Sequence, residues 1–284
     1  MANTLPESLL EMFYFLELRD RFALELGSQN FHVLKPSTRK ENWYGFDQGF
    51  VSAGGSRTEI ESNLRDYLHK TYPNQNLTLR AFLLQFKVVK KLSRVSHLTP
   101  PGWRSPYYRC DVSLSPSPET GLSQHETLLR ASTIPGTAVS YVCPMIFSET
   151  DVLKTPQLSD LCFVDVTSAP DGWNQNERHH ICFQEKNSQP TWKSKPVNGR
   201  LLDFKELFRQ AKPFKLEQID EYLEGLAETL TLTNEERLAR LEKKQSRDPV
   251  RKGVRTIKIE SLLETVPETN PLPPSLTIFA SPES

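Results

Sequence analysis

The sequence lacks the motifs that mark the common nucleotide-dependent enzymes. It has only 12 glycines in 284 residues, and none of them forms a G-x-G-x-x-G motif or a glycine-rich phosphate loop. Such loops need glycine because the backbone must approach a phosphate group closely. The sequence therefore argues against nucleotide hydrolysis and against a dinucleotide cofactor.

Net charge and long apolar runs are also missing. The 35 basic and 35 acidic residues give a formal net charge of zero, so no global field attracts nucleic acid or an anionic membrane. A nucleic-acid site would have to be a local basic patch. No apolar run approaches the roughly 20 residues of a membrane span, and Pro6 and Glu7 interrupt any signal-peptide pattern. We therefore predict a cytoplasmic protein with no membrane partner.

Cysteine is rare and lacks the spacing of a metal or redox motif. No C-x-x-C pair occurs, and His179-His180 with the nearby cysteines matches no common zinc site. Buried free thiols in a reducing compartment are the expected state. The four cysteines are Cys110, Cys143, Cys162 and Cys182.

The apolar residues recur with both helical and strand periods. A capping box of Ser123 and Glu126 begins one of the helices, in which Leu128 and Leu129 are expected to face inward. The fold class predicted is α/β (or α+β), a mixed central sheet flanked by helices. Helices are predicted at 6–27, 58–70 and 123–131, and strands at 31–34, 81–91, 107–112, 138–145, 161–166 and 180–184.

The strand at 81–91 carries two polar residues on one face. Gln85 and Lys87 are two residues apart, so a strand places both on the same side. A buried polar group costs a few kcal/mol unless it has a partner. Two interpretations follow: the pair points into a polar cleft, or this face of the strand is solvated.

Asp47 is the unusual residue of an aromatic, strand-like run that ends at Val51. Asp is depleted in strands and is almost never fully buried without a partner. Glu41 lies six residues earlier, so an extended chain would place both carboxylates on one side. The sequence thus offers two acids that could join Gln85 and Lys87.

This order of elements and polar residues resembles the restriction-endonuclease-like, PD-(D/E)XK nuclease superfamily over roughly residues 6–150. The resemblance implies an αβββαβ core in which Asp47 is the second-strand acid and Gln85-Phe86-Lys87 is a Q-x-K form of the last motif. The acid is less settled than the Q-x-K pair, because an insertion at 52–80 must separate Asp47 from Gln85. Glu59, Glu61 and Asp66 remain alternative acids.

The resemblance also implies the chemistry. Asp47, Gln85 and Lys87 would be catalytic, and Glu41, Asp47 and Gln85 would bind Mg²⁺ (or Mn²⁺), a cation that prefers oxygen ligands. The activity would be metal-dependent cleavage of DNA in a defence or mobile-element setting. A basic run after the strand would contact phosphates, or would simply be a solvated strand exit; it consists of Lys90, Lys91 and Arg94.

A rival match to the same motif lies later in the chain. Pro170-Asp171 is followed by Gln184-Glu185-Lys186. We rank it lower because Pro170-Asp171-Gly172 has the residue types of a turn. No helix and buried strand follow it in the required order.

The carboxyl-terminal third suggests an alternative function. Residues 1–200 form the predicted core domain, residues 201–266 a helical extension, and residues 267–284 a flexible tail rich in Pro, Ser and Thr. The charged helix predicted at 234–244 is a candidate surface for a protein partner. The alternative to a nuclease is therefore a non-catalytic subunit or adaptor with a degenerate nuclease-like fold. The oligomeric state does not follow from the sequence.

Overall fold

The structure is a computed structural model in which the described residues are 5–26, 32–34, 77–114, 122–172, 179–193, 195–218 and 276–282, with Glu221, Tyr222, Gly225, Glu228, Thr229 and Glu236. The mixed α/β class predicted from the sequence is confirmed. The α-helices are α1 (Glu7–Leu26), α2 (Gln124–Ala131), α3 (Glu149–Val152) and α4 (Phe204–Gln210). Short 3-10 helices cover Leu158–Asp160, Val166–Ser168 and Leu216–Gln218.

The strands lie singly or in runs between and after these helices along the chain. In order they are β1 (His32–Leu34), β2 (Leu77–Phe86), β3 (Lys90–Leu92), β4 (Tyr107–Val112), β5 (Thr137–Pro144), β6 (Leu161–Asp165), β7 (His179–Phe183), β8 (Thr191–Lys193), β9 (Val197–Asn198), β10 (Leu201–Leu202), β11 (Phe214–Lys215) and β12 (Leu276–Pro282).

Two sheets organise the molecule. The first has the strand order β1-β12-β2-β5-β6-β10, with β11 also paired to β2. Within it β2 and β5 run parallel, with Gln85 opposite Tyr141, and the other pairs are antiparallel. The second sheet has the order β3-β4-β7-β8-β9 and is antiparallel throughout. Parallel strands need a long crossover, and the crossover from β2 to β5 contains β3, β4 and α2.

The continuous strand predicted at 81–91 is wrong. Strand β2 ends at Phe86 in the first sheet, and β3 begins at Lys90 in the second. The amide of Lys87 still donates to the carbonyl of Val142 at 2.8 Å. Beyond that bond the chain passes between the sheets, and Val89 is buried there. Propensity alone does not detect this break, because valine favours a strand in either sheet.

Two apolar cores lie on opposite faces of the first sheet. One joins the two sheets and includes Leu83 of β2, Val139 of β5 and Ile181 of β7. The other lies under α1 and α4 and includes Phe22, Phe82 and Leu207. The layer order is therefore helices α1 and α4, then the first sheet, then the second sheet. Successive residues of β2 contribute to different cores because strand side chains alternate.

Local predictions around α2 and β5 are confirmed with one exception. The side chain of Ser123 accepts from the amide of Glu126, and the Glu126 carboxylate accepts from the amide of Ser123. All of β5 is buried, as its uninterrupted apolar run predicted. Leu129, however, is 41% exposed whereas Leu128 is 3% exposed, because an eight-residue helix turns only one of these neighbours toward the core.

The carboxyl-terminal tail predicted to be flexible needs a correction at 276–282. These residues form β12, which pairs antiparallel with β2 along seven residues, from Leu276 opposite Leu83 to Pro282 opposite Leu77. Its Leu-Thr-Ile-Phe run has the composition of a strand. The Pro and Ser content of the segment obscured that signal.

The residues assigned to a helical extension also contribute strands. Strand β10 pairs with β6, and β11 pairs with β2. The hydroxyls of Tyr222 and Thr137 are 2.7 Å apart, so this region packs directly on the amino end of β5. Among the described residues, no helix combines the length and apolar character needed to cross a membrane.

Candidate functional site

The site lies where the parallel strands β2 and β5 end. Lys87 directly follows β2, and Gln85 is the second-last residue of that strand. Helix α2 begins at Gln124, and α1 begins at Glu7. These four residues form what we call the Lys87 cluster: Glu7, Gln85, Lys87 and Gln124.

The ammonium of Lys87 is buried and held by two side chains. Lys87 is 5% exposed. Its Nζ donates to Gln124 Oε1 at 2.6 Å and lies 3.4 Å from Glu7 Oε1. The same Nζ is 5.9 Å from the centre of the Tyr141 ring, within the range of a cation–π contact. A lysine ammonium has three N–H donors, and among the described residues these two acceptors engage two of them.

Gln85 is equally buried, at 8% exposure. Its Nε2 donates to the carbonyl of Phe86 at 3.1 Å. Gln85 and Lys87 therefore do not form a solvated strand face, and that interpretation of the sequence is wrong. They are buried polar groups satisfied by specific partners, as buried polar groups generally must be.

An imidazole borders the Lys87 cluster. His125 follows Gln124 in α2, and its Nδ1 lies 3.0 Å from the hydroxyl of Tyr141. The pKa of His125 is lowered to about 4; burial is the main cause, the Glu126 carboxylate opposes the shift, and His179 adds to it. Burial likewise raises the pKa of the Tyr141 hydroxyl well above its usual value. Both groups are therefore neutral at physiological pH and add no charge beside Lys87.

The shifted pKa of His125 predicts a pH-dependent stability. Its pKa is about 4 in the fold and about 6.5 in the unfolded chain, so the unfolded state takes up the proton first as the pH falls. Stability should be highest above about pH 6.5 and should be lost as the pH approaches 4, by about 3 kcal/mol from this residue.

Denaturation at several pH values would measure this contribution. His125→Phe should flatten the pH dependence of the free energy of unfolding between pH 6.5 and 4. His97→Gln, at an exposed histidine, should leave that pH dependence unchanged. An unaltered profile for His125→Phe would contradict a buried, neutral His125.

Glu41 and Asp47 lie outside the described residues, as do the alternative acids Glu59, Glu61 and Asp66. Sequence reasoning missed Glu7, the carboxylate that does meet Lys87. Its signal was weak, because an acid in the first turn of a helix is ordinary. Only the packing of α1 on β2 brings it to the end of that strand.

The three predicted phosphate contacts do not share one face. Lys90 and Lys91 are neighbours in β3, opposite Arg109 and Tyr108 of β4 respectively, so their side chains point to opposite sides of the sheet. Lys90 is paired with Asp111 at 3.0 Å. Lys91 and Arg94 are exposed, which leaves them available for a solvent-side anion.

Lys90 belongs instead to a charged group on the second sheet. Asp111 also lies 2.9 Å from Nδ1 of His180. Hydrogen bonds from His180 and Lys90 hold the pKa of the Asp111 carboxyl well below its usual range. Lys90 is thus held in an ion pair, which reduces its availability to a phosphate.

The rival motif has the turn that its residue types predicted. Asp171 and Gly172 form a turn, and Gly172 has φ of +66°, a value that favours glycine. Gln184 follows the end of β7 and donates to the carbonyl of Arg104 at 3.2 Å. In the described structure, Asp171 is bonded through its carbonyl to Lys195 rather than to Gln184 or Lys186.

Within the described ranges, no group of three or more His, Cys, Asp or Glu side chains is placed to hold a metal ion. The four cysteines are buried free thiols, as predicted. Comparisons of the chain with models of protein families, with curated proteins and with solved structures found no match. The function proposed below therefore depends on the geometry of the Lys87 cluster and on the order of motifs in the sequence.

Proposed function

We propose that the protein is a metal-dependent nuclease that hydrolyses phosphodiester bonds of DNA at the Lys87 cluster. The observation that carries this proposal is a buried ammonium beside a buried amide at the carboxyl end of a parallel strand pair. A buried lysine retained at a strand end is costly. A developing negative charge on a phosphoryl group is the kind of ligand that would repay this cost.

Each side chain has a role that its geometry permits. The remaining N–H of Lys87 would donate to a phosphate oxygen or to the attacking water, because Gln124 and Glu7 occupy the other two donors. Gln124 fixes the direction of the ammonium through its 2.6 Å bond. The Gln85 carboxamide is held in place by the bond from its Nε2 to the carbonyl of Phe86, and in the Q-x-K motif an amide at this position would orient the water.

The residues present are compatible with a hard divalent cation. Mg²⁺ binds through one or two carboxylates and completes its coordination with water and phosphate oxygens. Glu7 supplies one carboxylate 3.4 Å from Lys87, Gln85 supplies an amide oxygen, and Asp47 or Glu41 would supply the second carboxylate. Such an ion polarises the phosphoryl oxygen and lowers the pKa of bound water.

The order of elements supports a restriction-endonuclease-like core. A helix, a first strand, the strand with Gln85, a helix and a buried parallel strand follow one another as α1, β1, β2, α2 and β5. The chain adds β3 and β4 between β2 and α2, and these belong to the second sheet. The elements named here are one helix, two strands, one helix and one strand, and the further strand of an αβββαβ core would come from the stretch with Asp47, which lies outside the described residues.

Cleavage assays with acid variants test this proposal. Purified protein should cut DNA with Mg²⁺ or Mn²⁺ and should not cut it in a chelator. Asp47→Asn should lower the rate by at least about 100-fold, the usual cost of removing one essential catalytic group, with no change in melting temperature. Asp171→Asn, at the acid of the rival motif, is the matched control. Loss of cutting in Asp171→Asn with full activity in Asp47→Asn would overturn the assignment.

A non-catalytic adaptor is the second candidate, and one observation favours it. Lys87 and Gln85 are both bonded within the protein, which suffices for a purely structural role. The charged segment predicted to bind a protein partner lies outside the described residues except for Glu236, which pairs with Arg130 of α2. A melting temperature that no divalent ion changes, together with absent cleavage, would favour the adaptor.

A further inference from the structure

A stacked aromatic pair lies near two exposed lysines, at the same end of the two sheets as the Lys87 cluster. The rings of Tyr108 and Phe147 are 5.0 Å apart and inclined by 17°, and both residues are half-buried. The Nζ of Lys186 lies 5.3 Å from the centre of the Phe147 ring. Lys91 lies opposite Tyr108 across β3 and β4. We call this group the aromatic edge: Lys91, Tyr108, Phe147 and Lys186.

The chain fixes the position of the aromatic edge near the Lys87 cluster. Phe147 follows the last residue of β5, Pro144, by three residues. Lys91 follows Lys87 by four residues, which span at most about 14 Å when extended. Both segments therefore leave from the same carboxyl end of the parallel pair β2 and β5.

Charge and ring chemistry indicate what this surface would bind. Aromatic rings with lysines beside them stack successive nucleobases while the ammonium groups contact the backbone phosphates. Bases in a duplex have both faces covered by their neighbours, whereas a single strand can offer a base to a ring. Lys186 is exposed, so it can exchange its contact with Phe147 for a phosphate and leave that ring face to a base.

We propose that the aromatic edge binds single-stranded nucleic acid, with bases on Phe147 and Tyr108 and phosphates on Lys91 and Lys186. This inference rests on the proposed function, because it names the form of nucleic acid that is led to the Lys87 cluster. Arg94, which is exposed two residues beyond β3, would add a further positive charge to those of the two lysines. Lys90 would not, because it faces the other side of the sheet and pairs with Asp111.

Binding in the absence of metal tests the proposal separately from cleavage. Fluorescence anisotropy would compare a labelled single-stranded oligonucleotide, a duplex of equal length and an abasic strand, all in EDTA with the full chain. Wild-type protein should bind the single strand at least about 10-fold more tightly than the abasic strand, because stacking supplies that part of the affinity. Equal binding of these two strands, or tighter binding of the duplex, would overturn it.

Two variants assign the effect to the aromatic edge. Phe147→Leu keeps an apolar side chain on the core but removes the ring, and it should weaken single-strand binding about 10-fold. Lys186→Gln, at an exposed site, should weaken binding and reduce the slope of log affinity against log salt concentration by about 0.7. Lys154→Gln, whose side chain is 71% exposed, is the control. Wild-type affinity in both Phe147→Leu and Lys186→Gln would overturn the assignment.

The outcomes separate this inference from the proposed function. Cleavage that depends on Lys87, combined with wild-type binding by Phe147→Leu, would overturn the aromatic edge alone. Single-strand binding that is lost in Phe147→Leu, in a protein that cuts no DNA with any divalent ion, would support the aromatic edge and reject the nuclease.

Discussion

Replacing Lys87 with methionine is expected to lower metal-dependent DNA cleavage by at least about 100-fold. Lys87 is 5% exposed, and its ammonium lies 3.4 Å from the Glu7 carboxylate. Methionine retains the length and apolar stem of the side chain but cannot donate to a phosphate oxygen. The loss should appear in the chemical step, so single-turnover rates are the quantity to measure.

The fold should survive this change. Gln124 would lose the donor that now lies 2.6 Å from its Oε1, which costs about 1–3 kcal/mol if no water replaces it. Glu7 has a side chain that is 44% exposed, so its carboxylate can be hydrated after the ammonium is removed. Removing a buried charge offsets part of the cost. The melting curve should therefore stay cooperative.

Lys154→Met provides the matched control for this experiment. Lys154 also pairs with a carboxylate, at 2.7 Å from Asp151, but its side chain is 71% exposed. This variant should cut DNA at the wild-type rate. If Lys87→Met cuts as fast as Lys154→Met while both remain folded, Lys87 has no catalytic role.

Phe82→Ala should produce the largest loss of stability, about 3–5 kcal/mol. Phe82 is fully buried in β2. Its ring centre lies 4.5 Å from that of Phe22 in α1 and 6.2 Å from that of Phe208 in α4. The change would thus leave a cavity between the first sheet and both helices that cover it. Those helices cannot collapse into it without shifting β2, which pairs with three other strands.

Urea denaturation would measure this cost, with Leu153→Ala as the control. Leu153 is 87% exposed, so its truncation should change the free energy of unfolding by less than about 0.5 kcal/mol. A loss below about 1 kcal/mol for Phe82→Ala would contradict the packing of α1 and α4 on β2. The position of Glu7 beside Lys87 would then lose its support as well.

The parts of the fold predicted correctly from the sequence are those with local causes. Helix α1 follows from its apolar repeat, α2 from the capping box of Ser123 and Glu126, and β5 from an uninterrupted apolar run. Each of these signals acts over a few residues and does not depend on the rest of the chain. The confirmed turn at Asp171 and Gly172 has the same origin.

The parts that the sequence did not predict depend on contacts between distant residues. No local signal in the sequence indicates that the strand predicted at 81–91 divides between two sheets, or that residues 276–282 pair with β2. The partner of Lys87 was missed for the same reason. Glu7 lies 80 residues away in the chain, and only the docking of α1 on the first sheet brings it to Lys87.

The burial of Gln85 and Lys87 depends both on a local signal and on contacts between distant residues. Strand alternation predicted that they share one side of the strand, but their exposure depended on what covers that side. Tyr141 of β5 and Gln124 of α2 cover it, and both come from the far end of the crossover. Spacing thus identified the pair, and only the tertiary structure provided its surroundings.

Anomalous diffraction from crystals grown with Mn²⁺ and a short DNA strand would test the central claim most directly. The account predicts a manganese peak beside the Lys87 cluster, bound by the Asp47 carboxylate at roughly 2 Å, with Lys87 directed at the phosphate on that ion. A structure in which DNA is bound but Asp47 lies far from Lys87, with no manganese between them, would contradict it.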